Sequence, residues 1–266
     1  MRLLSIASGS SGNSIYVGSD KTHVLIDAGI SNKRIEEGLK QAQLSGTDLN
    51  AICITHEHSD HIKGLGVLAR KYEIPIYATG DTIAEIRKEI SLGSFSDELF
   101  HVIKPDQEFR IGDLDVKPFH IYHDAADPVG YRFESGGRSA AVATDMGHFD
   151  DYIVDNLKGI QTLLIEANHD VRMLETGSYP YYLKRRILSD NGHLSNENCG
   201  RLISKILHDD IVHVFLGHLS KENNYPDLAY EAVRCEILQS ECSYSPDDFF
   251  IEVASRDYPS MIIELD

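Results

Sequence analysis

Thr55-His56-Glu57-His58-Ser59-Asp60-His61 directly follows the apolar stretch Ala51-Ile52-Cys53-Ile54 and places three imidazoles and the Asp60 carboxylate within six residues. The apolar run reads as a buried strand that delivers its C-terminal end to the cluster. Extended backbone alternates its side chains, so His56 and His58 point the same way. Asp60 and His61 fall at the start of a helical stretch, Ser59–Tyr72, and can face a second position nearby. Imidazole nitrogens with carboxylate oxygens suit zinc, iron or manganese, and four ligands this close are poorly matched to one ion alone. The strand-then-helix context and the strict H-x-H-x-D-H order separate this run from a His-rich surface loop that binds metal adventitiously. It is a metal-site signature.

The rest of the composition bounds what such a site can serve. With 266 residues the chain can bury a substantial core, and a single domain spanning 1–266 is ordinary for a sandwich or α/β architecture. No linker, repeat or low-complexity tract divides it. The N-terminal Met1-Arg2-Leu3-Leu4-Ser5-Ile6 lacks the apolar length of a signal peptide, and nothing approaches a membrane-spanning run. Four cysteines, Cys53, Cys199, Cys235 and Cys242, form no CxxC pair, which favours reduced thiols and a cytoplasmic setting. The net charge of −17 argues against extensive sequence-independent binding to duplex. It leaves room for an enzyme that grips one nucleic-acid end, since two divalent ions add four positive charges where a phosphodiester would sit. Lys184-Arg185-Arg186 is the one dense basic cluster, readable as a solvated helix face or as a substrate contact.

Periodicity places the elements. Arg2–Ile6, Ser14–Val17 and Thr22–Ile26 read as an N-terminal antiparallel sheet, Ser31–Lys40 as a helix, and Ala51–Ile54 as the strand entering the metal loop. After helix Ser59–Tyr72 come strand Pro75–Ala78 and helix Asp81–Ile90. Strands follow at Leu99–Ile103, Leu114–Ile121, Val129–Glu134 and Ser139–Ala143, with Gly136-Gly137 as a hairpin turn. The second half reads as helix Phe149–Leu157, strand Thr162–Ile165, and helices Tyr179–Leu188 and Ser195–Leu207. Strand Ile211–Leu216, helix Pro226–Leu238 and strands Phe249–Val253 and Met261–Glu264 complete it. Strands followed by helices in both halves predict a sheet-on-sheet core with helices outside.

Thirteen histidines cannot all be ligands. His120 and His123, three apart on an extended segment, face opposite sides, so only one of them can reach a metal. His213 and His218 are separated by an odd number as well, and mid-strand His213 reads as a core or partnered residue. His23, His101 and His208 have no motif around them, while His148, near Asp145, stays open as a further candidate. The loop Ser8-Gly9-Ser10-Ser11-Gly12-Asn13 lacks the Gly-Lys-Ser/Thr of a phosphate loop and reads as a tight turn, from which Asn13 can reach a site mouth.

H-x-H-x-D-H after a buried strand resembles the metallo-β-lactamase superfamily. The resemblance implies a four-layer αββα sandwich with one or two metals at one edge. It matches residue by residue: Asp27 after His23-Val24-Leu25-Ile26, His123 before Asp124-Ala125, Asp145 after Ala141-Val142-Ala143-Thr144, and His218 after Val212–Gly217. A carboxylate at a strand end followed by Ala28-Gly29 more often accepts hydrogen bonds from loop amides or a ligand's imidazole than binds metal, so Asp27 is expected to support the site from behind. Glu166-Ala167-Asn168-His169-Asp170 and Gly192-His193-Leu194-Ser195 resemble the paired elements of ribonuclease Z-like phosphodiesterases. There the Glu orients a His that protonates the leaving oxygen, which implies that Glu166 orients His193; simple helix capping by Ser195 is the alternative.

Together with Ser8–Ser14, Thr144-Asp145-Met146-Gly147, Gly192–Asn196 and Gly217-His218-Leu219-Ser220-Lys221-Glu222-Asn223-Asn224, these stretches are most similar to the YycJ (VicX, WalJ) branch of the superfamily. That branch is associated with a two-component cell-wall regulatory operon in Gram-positive bacteria and with metal-dependent 5′-to-3′ DNA exonuclease activity. The β-CASP insertion of larger nucleases has no room between Asp145 and His218. The resemblance therefore implies a dinuclear phosphodiesterase. His56, His58 and His123 would hold one Zn²⁺, Mn²⁺ or Fe²⁺, and Asp60, His61 and His218 the other. Asp145 would bridge, Asp60 would orient the attacking hydroxide, and His193 would act as the acid. Two alternatives stay open: a thioester or lactone hydrolase of glyoxalase II type, which needs no Glu166–His193 pair, and a non-catalytic metal-binding regulator.

Overall fold

The computed structural model describes residues 1–265, and its backbone divides into two compact units. The first comprises Met1–His120, Ala125–Ala140 and the chain from Ser255 onward; the second comprises Ile121–Asp124 and Ala141–Ala254.

In the first unit, β1 (Arg2–Ala7), β2 (Ser14–Gly18) and β3 (His23–Ile26) lead through α1 (Asn32–Leu39) to β4 (Ala51–Cys53). Then come α2 (Ser59–Ile62), α3 (Leu65–Tyr72), β5 (Ile76–Thr79), α4 (Gly80–Ile86) and β6 (Phe100–Ile103), followed by β7 (Phe109–Ile111), β8 (Leu114–His120), β9 (Val129–Ser135) and the start of β10 (Arg138–Ala143), whose last three residues belong to the second unit. β1–β3 are antiparallel, while β3, β4, β5 and β6 run parallel. Ala51, Ile52 and Cys53 are each fully buried, the continuous apolar signature of an interior parallel strand rather than a half-solvated one. α1 starts where the Ser31 hydroxyl accepts from Arg34 N–H, and it presents Ile35 and Leu39 to a cluster that includes Leu4, Ile6, Leu25, Ile52 and Leu68.

The helix expected as one piece over Ser59–Tyr72 is two, broken at Lys63-Gly64. Gly64 N–H donates to Ala28 O at 2.7 Å, and only a residue without a side chain lets the Ile30 carbonyl come so close. That contact anchors the end of the metal loop to the loop after β3.

The second unit runs through α5 (Asp151–Leu157), β11 (Thr162–Glu166), α6 (Val171–Thr176), α7 (Tyr181–Ile187), α8 (Asn196–Ile206), β12 (His213–Gly217), α9 (Pro226–Gln239) and β13 (Phe250–Val253). A last strand, β14 (Ile263–Glu264), returns to pair antiparallel with β1 in the first unit. β11, β12 and β13 are parallel. α8 begins where Ser195 Oγ accepts from Asn198 N–H, and it buries Cys199, Leu202, Ile203 and Ile206 at i, i+3, i+4 and i+7 spacing. Burying each such Leu or Ile contributes about 1.5–3 kcal/mol. Two elements escaped the sequence reading, the three-residue β7 and the six-residue α6. The strand orders are β14-β1-β2-β3-β4-β5-β6 and β13-β12-β11-β10-β9-β8-β7. Among the described residues no helix is long and apolar enough to cross a membrane.

Candidate metal centre

The first unit gathers its donors around one threonine. Asp27 directly follows β3, and its backbone sits in the left-handed region at φ 59°. Asp27 Oδ1 accepts from Thr55 N–H at 2.8 Å, and Oδ2 accepts from the Thr55 hydroxyl at 2.8 Å and lies 2.7 Å from His61 Nδ1. A carboxylate can only accept, so His61 carries its hydrogen on Nδ1 and leaves the Nε2 lone pair for a ligand. With its own proton directed to Asp27, Thr55 Oγ1 offers a lone pair to His56 Nδ1 at 3.0 Å, which makes Nε2 the acceptor nitrogen of His56 in the same manner. His56 Nε2 stands 3.1 Å from His58 Nδ1, and the His56 and His61 ring centroids are 4.0 Å apart. Two nitrogens bound tetrahedrally to one ion at about 2.0–2.1 Å stand roughly 3.3 Å from each other, so the His56–His58 spacing fits a shared cation. Asp60 Oδ2 lies 3.5 Å from His61 Nε2, with about a quarter of its side chain exposed.

Asn13 is buried. Its Oδ1 accepts from Gly9 N–H at 2.9 Å, and its Nδ2 lies 3.1 Å from His61 Nε2. The loop carrying Asn13 thus touches the metal run directly, and Asn13 N–H donates to Asp60 O. Gly29 makes this packing possible, since a Cβ there would collide with the Asp60 carbonyl.

The second unit builds its own cluster from strand ends. Asp145 follows β10 at φ 63°, and His218 follows β12 at φ 54°. Left-handed backbone at a non-glycine residue costs about 1–3 kcal/mol and persists only where surrounding contacts impose it. Asp145 Oδ2 lies 2.8 Å from His218 Nδ1, a spacing that a shared proton or a shared cation satisfies. His123 directs Nδ1 to Gly192 O at 3.0 Å, leaving Nε2 3.8 Å from Asp145 Oδ1. Glu166, the last residue of β11, is fully buried. Its Oε2 accepts from Met146 N–H at 2.6 Å and Leu194 N–H at 3.2 Å, and its Oε1 lies 2.7 Å from His193 Nδ1. Candidate donor atoms of Asp145, Glu166, His193 and His218 all lie within 4.8 Å of one another.

Buried imidazole nitrogens oriented by carboxylates, carbonyls or hydroxyls, alongside carboxylate oxygens, fit hard or borderline divalent ions. Burial pushes the thiols of Cys53 and Cys199 upward, which keeps both protonated and outside that chemistry.

The other candidates are engaged elsewhere. His120 is half-exposed and lies 3.5 Å from Asp127. His148 stacks on Tyr122 at 4.0 Å and binds Asp190 O through Nδ1 at 2.8 Å. His213 packs against the Phe215 ring at a 40° tilt, and burial lowers its pKa to about 4. Lys184 Nζ donates to the carbonyls of Glu175 and Gly177, Arg186 pairs with Asp124, and Arg185 lies over Tyr181. Sequence reasoning assigned no role to Thr55 or Asn168. Thr55 links Asp27, His56 and His61, whereas Asn168 Nδ2 donates to His218 O at 2.9 Å and holds that strained residue in place. Both lie within or beside quoted motifs, but a hydroxyl or amide in such a run has no spacing rule that exposes its partner.

Residues 22–214 match the family described as the beta-lactamase superfamily domain. Exodeoxyribonuclease YycJ of Bacillus anthracis is 43% identical over 228 residues, 86% of this chain and 86% of that protein. Exodeoxyribonuclease WalJ of Streptococcus pneumoniae serotype 2 (strain D39) is 40% identical over 260 residues, 98% of this chain and 96% of that protein. Zn²⁺-bound PqqB from Methylobacterium extorquens superposes over the whole of both chains with a TM-score of 0.74 at 16% identity, a likeness of fold alone. With its two mixed sheets, its histidine–aspartate clusters and these relatives, the chain belongs to the metallo-β-lactamase superfamily and, within it, to the family of the exodeoxyribonucleases YycJ and WalJ.

Proposed function

We propose that this protein is a dinuclear-metal-dependent exodeoxyribonuclease that hydrolyses phosphodiesters from the 5′ end of DNA. In this reading His56, His58 and His123 would hold one divalent ion, Asp60, His61 and His218 would hold a second, and Asp145 would serve both. Nitrogen and oxygen donors without thiolate suit Zn²⁺, Mn²⁺ or Fe²⁺. Bound divalent ions supply an attacking water of lowered pKa and a positive field on the phosphoryl oxygens. The Asp60 carboxylate, about a quarter exposed, would accept a hydrogen bond from that water and orient it toward phosphorus. Asp27 and Thr55 hold His61 and His56 in one tautomer each, which fixes the ring nitrogen that each would turn to a metal.

The observation that carries the reading is the Glu166–His193 pair. Glu166 fixes His193 through Nδ1 at 2.7 Å, which leaves Nε2 to deliver a proton to the leaving oxygen. Phosphodiester cleavage expels an alkoxide that needs this proton, whereas a thiolate departs without one. The pair therefore favours a phosphodiesterase over a thioester hydrolase, and a metal-binding regulator has no use for it. The relatives' activity supplies the substrate class, and the acidic balance of −17 favours engaging a strand end over gripping internal duplex. Unpaired cysteines and a DNA substrate suit the cytoplasm; the link to a two-component cell-wall regulatory system rests on family resemblance.

The test combines topology and leaving group. Linear single-stranded DNA should be degraded while its closed circle survives, and efficient cutting of the circle refutes exonuclease action. His193→Ala should slow hydrolysis of DNA by about 10²–10⁴-fold. The loss should shrink on a nitrophenyl phosphodiester, whose leaving group departs unprotonated. Equal losses on both substrates return the choice to the thioester hydrolase.

A further inference from the structure

α7 places Tyr181, Tyr182, Lys184, Arg185 and Arg186 within six residues of a strongly acidic chain. Two of its three cations already have structural work. Lys184 Nζ closes the end of α6 by donating to Glu175 O at 2.8 Å and Gly177 O at 2.7 Å. Arg186 clasps both oxygens of Asp124, the residue after His123. What remains is an exposed trio. Tyr181 and Tyr182 each keep 75% of their surface in solvent, and the Arg185 guanidinium lies 5.9 Å from the Tyr181 ring centroid.

Single exposed aromatics need no explanation, but two consecutive ones, the first beneath a guanidinium, offer separate exposed π faces next to a positive charge. That combination suits unpaired nucleobases, whose faces stack on aromatic rings whatever their sequence. The placement is equally specific. His193 N–H donates to Ile187 O at 3.0 Å, and His123 Nδ1 binds Gly192 O at 3.0 Å, so the C-terminal end of α7 is tied to both residues. Seven helical residues rise about 10 Å. At about 3.4 Å per base this spans roughly three stacked nucleotides.

We propose that Tyr181, Tyr182 and Arg185 form a stacking platform for the unpaired bases of the DNA strand whose end phosphodiester lies at His193. This rests on the nuclease reading above and extends it, because it makes single-stranded DNA the substrate form. It also explains how a chain of charge −17 holds a polyanion: it grips base faces and uses few phosphate contacts.

The experiment compares wild type, the Tyr181→Ala/Tyr182→Ala double variant and the corresponding double Trp variant, all metal-loaded, on a single-stranded hexanucleotide and a dinucleotide. Stacking strengths of this kind correspond to about 5–150-fold in affinity per base. KM for the hexanucleotide should rise at least tenfold, roughly the middle of that range, in the Ala variant with little change in kcat. The advantage of the longer substrate over the dinucleotide should collapse. The Trp variant should restore both. Arg185→Gln should flatten the salt dependence of log KM by about 0.7, the slope of one single-strand phosphate contact. If wild type degrades linear DNA and the Ala variant keeps its KM and length dependence, the platform is overturned and the nuclease reading stands. If wild type degrades no nucleic acid, both are overturned. Loss of activity in Ala and Trp variants alike assigns the tyrosines to folding and also overturns the platform.

Discussion

Replacing Thr55 by valine removes one oxygen from the centre of the first cluster and leaves its volume almost unchanged. The residue is buried, and Oγ1 lies 2.8 Å from Asp27 Oδ2, 3.0 Å from His56 Nδ1 and 3.2 Å from His61 Nδ1. In the metal-free protein the loss should be modest. Asp27 keeps Thr55 N–H and His61 Nδ1 as donors, and His56 can move its hydrogen to Nε2, toward His58. A ligated His56 has no such escape, because its Nε2 lone pair is then engaged and Nδ1–H loses the Thr55 hydroxyl as its acceptor. A buried donor left unsatisfied costs about 1–3 kcal/mol. The penalty therefore falls on the metal-bound state, and Thr55→Val should weaken metal affinity about 10–100-fold, the range for changes behind a metal-ligating histidine. Thr55→Ser, which keeps the hydroxyl, should bind nearly as wild type. Competition against a fluorescent chelator measures the affinity, and urea unfolding of the apo proteins measures the fold separately. Wild-type affinity in a folded Thr55→Val protein would refute the argument that Thr55 fixes the His56 tautomer.

Asp145→Ala should lose both ions while His218→Ala loses chiefly one, because the proposed arrangement has the carboxylate serving both; equal metal content by elemental analysis removes the bridging role. His213 gives an acid-stability prediction. Burial holds its pKa at about 4, below the roughly 6.5 of an unfolded chain, so below neutrality the unfolded chain binds a proton that the fold resists. The contribution is complete above about pH 6.5 and is lost as pH falls toward about 4. Glu252, which faces His213 at 3.5 Å and whose pKa burial raises, slopes the other way across the carboxylate range. His213→Phe, in a position that already packs against the rings of Phe215 and Phe250, should flatten the fall in urea midpoint between about pH 6.5 and 5, and an unchanged slope would show that another group sets it.

The donors were readable from sequence because each follows an apolar run, and a run of that kind announces both a strand and its end. Their orientation was not. Nothing in the one-dimensional pattern indicates that Asp27, Asp145 and His218 adopt φ between 54° and 63°, since that conformation is imposed by contacts such as Asn168 to His218 O. The break between α2 and α3 was hidden for a related reason. One glycine inside an amphipathic run is tolerated, and only the distant Ala28 carbonyl makes Gly64 the place where the helix stops. α6 is hidden because its N-cap, Asp170, also closes the motif Glu166–Asp170, whose residue types point to chemistry before they point to a helix start.

These misses have a common physical origin. A metal site needs donors of the right type, which composition and spacing reveal, and it also needs those donors held against their own backbone preferences, which only tertiary contacts reveal. Asp and Asn enter the left-handed region more readily than most residues, because a short polar side chain can bond its own backbone there. His218 has less of that relief, and its strain is borne by Asn168, whose amide spans from β11 to the end of β12. His218 thus depends on a residue outside the donor set in the same way that His56 depends on Thr55. The strand ends supply the chemistry, and the loops beside them supply the constraint that makes it usable.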